Sequence, residues 1–122
     1  MTIVITCTYR AGGADARLAI RDRHLEYIIA NLADIRYAGA LASEDDREAT
    51  GMLIAHAAED IETAQRFMEQ EPYRSHGFFT DIRYARLRQF IPHPTTPDFL
   101  QDELGRERLR LIDEKAMHED RP

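Results

Sequence analysis

A chain of 122 residues with 43% hydrophobic and 31% charged side chains is long enough to bury a core without disulfide or metal staples. Its formal net charge of −6 argues against the extended basic surface that a phosphate backbone needs, so no nucleic-acid partner is expected. The apolar runs are far too short to cross a membrane, and the opening MTIVITCTYR carries no basic leader; a cytoplasmic location is expected.

Residues 2–9, TIVITCTY, are β-branched almost throughout and predict a strand that is apolar on both faces. Cys7, the single cysteine, lies in that run and reads as a small buried hydrophobe. GGAD makes a turn, with Asp15 or a neighbour placed to cap the helix that follows. In that helix, opened by ARLAIRDRHLEYII at 16–29, Leu18, Leu25, Ile29 and Leu32 fall on one face as the buried stripe. IRYAGAL at 35–41 is a second strand, ASEDDREAT a polar loop, and GMLIAHA at 51–57 a third strand.

EDIETAQRFMEQEPY is a second helix that starts near Glu59 or Asp60, carries Ile61, Ala64, Phe67 and Met68 as its stripe, and is stopped by Pro72. After SHG, FFTDIRYARLRQFI at 78–91 is a fourth strand. The order βαββαβ predicts a ferredoxin-like α+β sandwich with both helices on one face of the sheet. Strands one and three are apolar at both parities (Ile3, Val4, Ile5; Met52, Leu53, Ile54), so the second face needs its own cover. A second copy of the chain is the simplest supplier, which predicts a sheet-to-sheet homodimer or a higher homo-oligomer. Residues 1–91 form the domain. Residues 92–122 begin with the Pro-rich connector PHPTTP and continue as a helical extension marked by Leu100, Leu104, Leu109, Leu111 and Ile112 and weakened at Gly105.

The first helix poses the functional question. Arg17, Arg21, His24 and Ile28 are spaced i, i+4, i+7 and i+11, which puts two guanidiniums and an imidazole in a row at the edge of the buried face, partly wet. The plainest account is a rim histidine with two solvated arginines. A catalytic account is that an imidazole takes and returns a proton near neutral pH while the arginines meet an anion. His56 and His76 lie in a strand and a turn without HxH, HxxxH or HExxH spacing, and His93 and His118 in connector and tail, so no metal site is expected. Asp81 falls in the fourth strand, most simply at a solvent-facing edge. There is no phosphate-binding glycine loop and no serine nucleophile elbow.

RLAIRDRHL at 17–25 resembles the R-L-x-x-R-x-x-H-L stretch of the YciI-like family, small proteins of the dimeric α/β-barrel superfamily with a ferredoxin-like fold. GAL at 39–41 stands where that family has Gly-Pro-Leu, and Ala40 in place of the proline loosens a loop there. DIETAQRFMEQEPYRSHGFF resembles the family's second helix, which ends in Asp-Pro-Tyr; the similarity covers roughly residues 2–90. The resemblance implies a histidine–aspartate pair facing a cavity between helix and sheet, in a family some of whose members dehalogenate or eliminate from cyclic, phenol-like compounds. The histidine falls on His24 and the aspartate on Glu71, which is one methylene longer. Glu71 would fix the imidazole's tautomer, Arg17 and Arg21 would hold an anionic substrate, and Tyr73 would either donate to a developing oxyanion or pack the helix end. The resemblance therefore implies a cofactor-independent, metal-free enzyme that carries out elimination, dehalogenation or isomerisation on a small cyclic or anionic metabolite. The alternative is a non-catalytic dimeric module that binds a ligand or a partner protein.

Overall fold

The computed structural model describes residues 1–119; the last three residues of the expected C-terminal extension, 120–122, lie outside the described residues. The elements are β1 (Thr2–Tyr9), α1 (Gly13–Ala16), a 3-10 turn (Arg17–Ile20), α2 (Arg21–Ala30), a second 3-10 turn (Leu32–Asp34), β2 (Ile35–Ala42), β3 (Ala49–His56), α3 (Ile61–Glu69), α4 (Pro72–Ser75), β4 (Phe79–Leu87) and α5 (Phe99–Glu119). They divide into two compact units, Met1–Arg88 and the residues from Gln89 onward. In the second unit α5 runs unbroken through Gly105, and Arg110 pairs with Glu107 and Glu114 one turn to either side. Among the described residues no helix is long and apolar enough to cross a membrane.

The first unit is a four-stranded antiparallel sheet in the order β2-β3-β1-β4, the ferredoxin-like α+β sandwich that the element order predicts. Strand alternation sorts its residues. Ile3, Ile5 and Cys7 of β1 pair with His56, Ile54 and Met52 of β3, and this face packs against Ala64, Phe67 and Met68 of α3. Val4, Thr6 and Leu53, on the opposite face, stay half-exposed. Gly51 permits the central pairing: a Cβ there would lie 1.9 Å from the carbonyl oxygen of Cys7, so only a residue without one fits.

Several local expectations are revised. The helix after β1 is capped by Gly12 in the left-handed region (φ 76°), with Asp15 inside the first turn making no cap hydrogen bond. The α3 stripe is Ala64, Phe67 and Met68, while Ile61 is exposed because it directly follows the N-cap, Asp60, whose carboxylate accepts from Thr63 N at 2.7 Å. Pro72 does not stop that helix: α3 ends at Glu69, and Pro72 opens α4 at a position where the missing N–H costs nothing. β4 ends at Leu87 rather than running on to Ile91, since Leu87 pairs with Thr2 at the start of β1 and no strand extends beyond it.

The largest revision concerns the first helix. Leu18, Leu25, Ile29 and Leu32 are all exposed. The 3-10 turn at Arg17–Ile20 breaks the helix, and α2 turns His24, Tyr27 and Ile28 inward, a face about 100° away at 3.6 residues per turn. Tyr27 can face inward because its hydroxyl donates to the Phe67 carbonyl at 2.6 Å.

His56, at the end of β3, is buried with its ring 4.6 Å from that of Phe67, and its Nδ1 has no hydrogen-bond partner among the described residues. Burial holds its pKa below the ordinary imidazole value, against a smaller opposing pull from Asp34. As pH falls through about 6.5 the unfolded chain takes up this proton first, so stability decreases toward acid. Urea unfolding on both sides of that pH should show a shallower acid loss in His56→Phe than in the parent; parallel losses would exclude His56 as a source.

Candidate active site

β1, the 3-10 turn, α2 and α4 bring the residues of the site together. Glu71 is the N-cap of α4: its Oε2 accepts from the backbone N–H of Arg74 at 3.2 Å. Its other oxygen, Oε1, accepts from Nδ1–H of His24 at 2.5 Å. Glu71 is 0% exposed and His24 7%, so the pair is buried and His24 is not the half-wet rim group that its wheel position suggests. With Nδ1 engaged, Nε2 is the ring's free nitrogen at the cleft that His24 lines. Glutamate, although longer than aspartate by a methylene, reaches the imidazole without losing the cap.

Tyr73, the residue after Pro72, lies flat on the imidazole, with centroids 4.0 Å apart and planes 8° apart. Its ring meets Tyr9 edge-on at 6.4 Å, and Tyr9 stacks on Phe79 at 5.2 Å. The Arg17 guanidinium sits 5.3 Å from the centroid of the Tyr9 ring and donates to the Ala14 carbonyl. Arg21 forms no ion pair among the described residues and lines the same cleft as His24, Tyr9, Arg17 and Tyr73. The cleft has a volume of about 250 Å³, and its floor is Ala38, Gly39 and Ala40 of β2 with Met52 and Ile54 of β3. Ala40 is therefore not in a loop; it pairs with Met52 inside β2, and its small side chain leaves the floor open.

Burial pushes the Tyr9 hydroxyl up to about 12 against an opposing pull from Arg17, and raises that of Tyr73 against Arg17 and Arg21. Both phenols stay protonated at neutral pH and are hydrogen-bond donors. The Cys7 thiol is pushed up to about 12 by burial and, to a smaller extent, by Glu71, which makes it a packing group rather than a nucleophile. His76 lies apart, with Nδ1 at 2.8 Å from the Pro72 carbonyl, and Asp81 pairs with Arg83 at 2.7 Å. Among the described residues no three His, Cys, Asp or Glu side chains come together to hold a metal ion.

Sequence reading thus names five of the residues gathered here, Arg17, Arg21, His24, Glu71 and Tyr73, and misses Tyr9 and the β2–β3 floor. A signal for Tyr9 exists. It has the parity of Ile3, Ile5 and Cys7, which puts it on the helix-covered face of β1.

The family described as the YCII-related domain matches residues 1–88. No curated protein sequence gives a match. Among solved structures, the chain is similar to 5-chloro-2-hydroxyhydroquinone dehydrochlorinase (TftG) from Burkholderia phenoliruptrix AC1100, in complex with 2,5-dihydroxybenzoquinone, at 25% identity and a TM-score of 0.66; the match covers 73% of this chain and 95% of that one. It is also similar in part to SnoaB, a cofactor-independent oxygenase from Streptomyces nogalater, at 16% identity and a TM-score of 0.47, covering 75% and 96% of the two chains.

The buried pair sets a stability test. His24→Ala leaves the Glu71 carboxylate desolvated with one partner lost, which costs about 3–5 kcal/mol. Glu71→Gln removes the charge and keeps an oxygen for only one of the two donors, its NH2 facing the other, and is expected to cost less, about 1–3 kcal/mol. Chemical denaturation of both variants checks the order; a His24→Ala protein as stable as the parent would contradict the buried pairing.

Proposed function

Because the chain belongs to the YCII-related domain family, we propose that it is an enzyme acting on a small cyclic, phenol- or quinone-like molecule by general acid–base chemistry at His24. The observation that carries the reading is the 2.5 Å contact between His24 and Glu71 at the wall of a cleft of about 250 Å³. An apolar cavity of ~150 Å³ accommodates benzene, so this volume suits one substituted ring. The similarity to a dehydrochlorinase whose structure holds 2,5-dihydroxybenzoquinone supports the same ligand class.

In this mechanism the ring enters over the β2–β3 floor with its oxygen substituents toward Tyr9, Tyr73 and the arginines. Nε2 of His24 takes a proton from the substrate as the leaving group departs with its bonding electrons, so that a halogenated ring loses HX overall. Glu71 holds the imidazole in the tautomer with Nε2 free and stabilises the imidazolium once it forms. Tyr73 and Tyr9, both protonated, donate to the substrate oxygen on which negative charge grows. Arg17 and Arg21 hold substrate anions and lower the energy of that charge. In isomerisation the same nitrogen returns the proton at a second carbon.

We further propose that the molecule works as a homodimer joined through the open sheet face. The half-exposed Val4, Thr6 and Leu53 support it, as does Tyr37 of β2, which is exposed. Sedimentation at micromolar concentration should give a dimer or larger, and Leu53→Glu should shift it toward monomer; a parent protein that sediments as a stable monomer would end this part.

Halide release from halogenated hydroxyhydroquinones tests the chemistry. His24→Ala should lower kcat/KM by about 10²–10⁴-fold, and Glu71→Gln by about 10–100-fold. If the parent binds 2,5-dihydroxybenzoquinone but turns over no member of the series, and His24→Ala binds equally well, the protein is a ligand-binding module.

A further inference from the structure

A second, larger concavity adjoins the His24 cleft and shares two of its residues, Tyr9 and Arg17. Its volume is about 730 Å³, and Arg10 and Arg47 stand in its wall beside Arg17. The three arginines come from three places: the turn after β1, the 3-10 turn before α2, and the β2–β3 loop. In a chain with 16 basic and 22 acidic residues this convergence runs against the overall charge; the acidic residues of the groove are Asp15 and Glu48.

How the guanidiniums are held matters more than their number. Arg10 donates from Nε to the Gly77 carbonyl and from Nη1 to the Ala11 carbonyl, both at 2.9 Å. Arg17 donates to the Ala14 carbonyl and rests on the Tyr9 ring. These acceptors are neutral, so they fix the orientation of each fork without cancelling its charge. Arg47 meets Asp45 at 3.9 Å with both side chains mostly exposed, a contact too loose to neutralise it. An oriented, uncompensated guanidinium is a receptor for an oxyanion.

Resting on the reading of the His24 cleft given above, we propose that the substrate is a ring bearing an anionic arm, a carboxylate or similar oxyanion, which passes Arg17 and ends in the groove walled by Arg10 and Arg47. The ring fills the smaller cleft, where the proton moves. The arm fills the groove and sets specificity, since a cleft of about 250 Å³ holds little beyond the ring itself. Arg17, common to both spaces, meets the arm where it leaves the ring.

The test uses the full chain and 2,5-dihydroxybenzoquinones substituted with carboxyalkyl arms of increasing length, each compared with its methyl ester by calorimetry. At the arm length that spans the junction, the acid should bind about tenfold more tightly than the ester, a gap that narrows as salt is raised. Arg47→Ala should reduce that advantage and Arg47→Glu abolish it, while the affinity for unsubstituted 2,5-dihydroxybenzoquinone stays the same in both variants. Equal binding of acid and ester at every length, with the unsubstituted quinone still bound, would overturn the groove and leave the His24 reading standing; so would an acid preference undiminished in Arg47→Glu. If no quinone of the series binds, both readings fall together.

Discussion

A carboxylate withdrawn entirely from water must find its partners within the protein, and the fold around Glu71 is organised by that requirement. One oxygen accepts from Nδ1–H of His24 on α2, and the other from the backbone N–H of Arg74 on α4. An unpaired buried charge costs several kcal/mol, more than the ~1.5–3 kcal/mol from burying one leucine side chain. The comparison explains why α2 presents His24, Tyr27 and Ile28 to the sheet and leaves Leu25 and Ile29 outside. It also explains the break between α3 and α4, because Glu71 can cap a new helix only if the preceding one has ended.

The same pair gives the cleft its chemistry. Nδ1 is committed to Glu71 and Tyr73 covers one face of the ring, so the imidazole has little rotational freedom and one nitrogen left free. Tyr9 and Tyr73 are protonated at neutral pH, with burial raising both phenols further, and Arg17 and Arg21 supply positive charge in a space partly closed to water, where Coulomb interactions exceed those at the surface. The exposed pairs elsewhere, such as Arg66 with Glu62 and Arg83 with Asp81, contribute little by comparison. The groups proposed for binding and proton transfer are thereby gathered on the inner side of the helices.

Much of this is legible in the chain's local patterns. The β-branched run of β1, the apolar run of β3 and the Ala64, Phe67 and Met68 spacing of α3 are local signals; each identifies its element, and the α3 spacing also identifies a buried side. The row Arg17, Arg21, His24 is visible as a helical flank, and together with the Pro-Tyr turn it carries the family resemblance. The exposed Leu18, Leu25, Ile29 and Leu32 show where such reading fails. A helical wheel ranks faces by hydrophobicity, whereas here the inner face is chosen by hydrogen bonds to Glu71 and the Phe67 carbonyl, partners more than 35 residues away. Ala40 falls within the strand that local pattern predicts over 35–41, and its pairing with Met52 corrects the loop that the resemblance suggests.

Sequence alone determines the order of elements, the antiparallel α+β class and the residue types available for proton transfer, because periodicity and turn chemistry act over a few neighbouring residues. Only the folded chain decides that His24 and Glu71 meet at 2.5 Å, that Tyr9 lines the same cleft, and that this cleft adjoins the groove of Arg10 and Arg47. These contacts join residues far apart in the chain. Their existence depends on the cost of burying charge and on sheet register, and neither quantity is expressed in any short stretch of sequence.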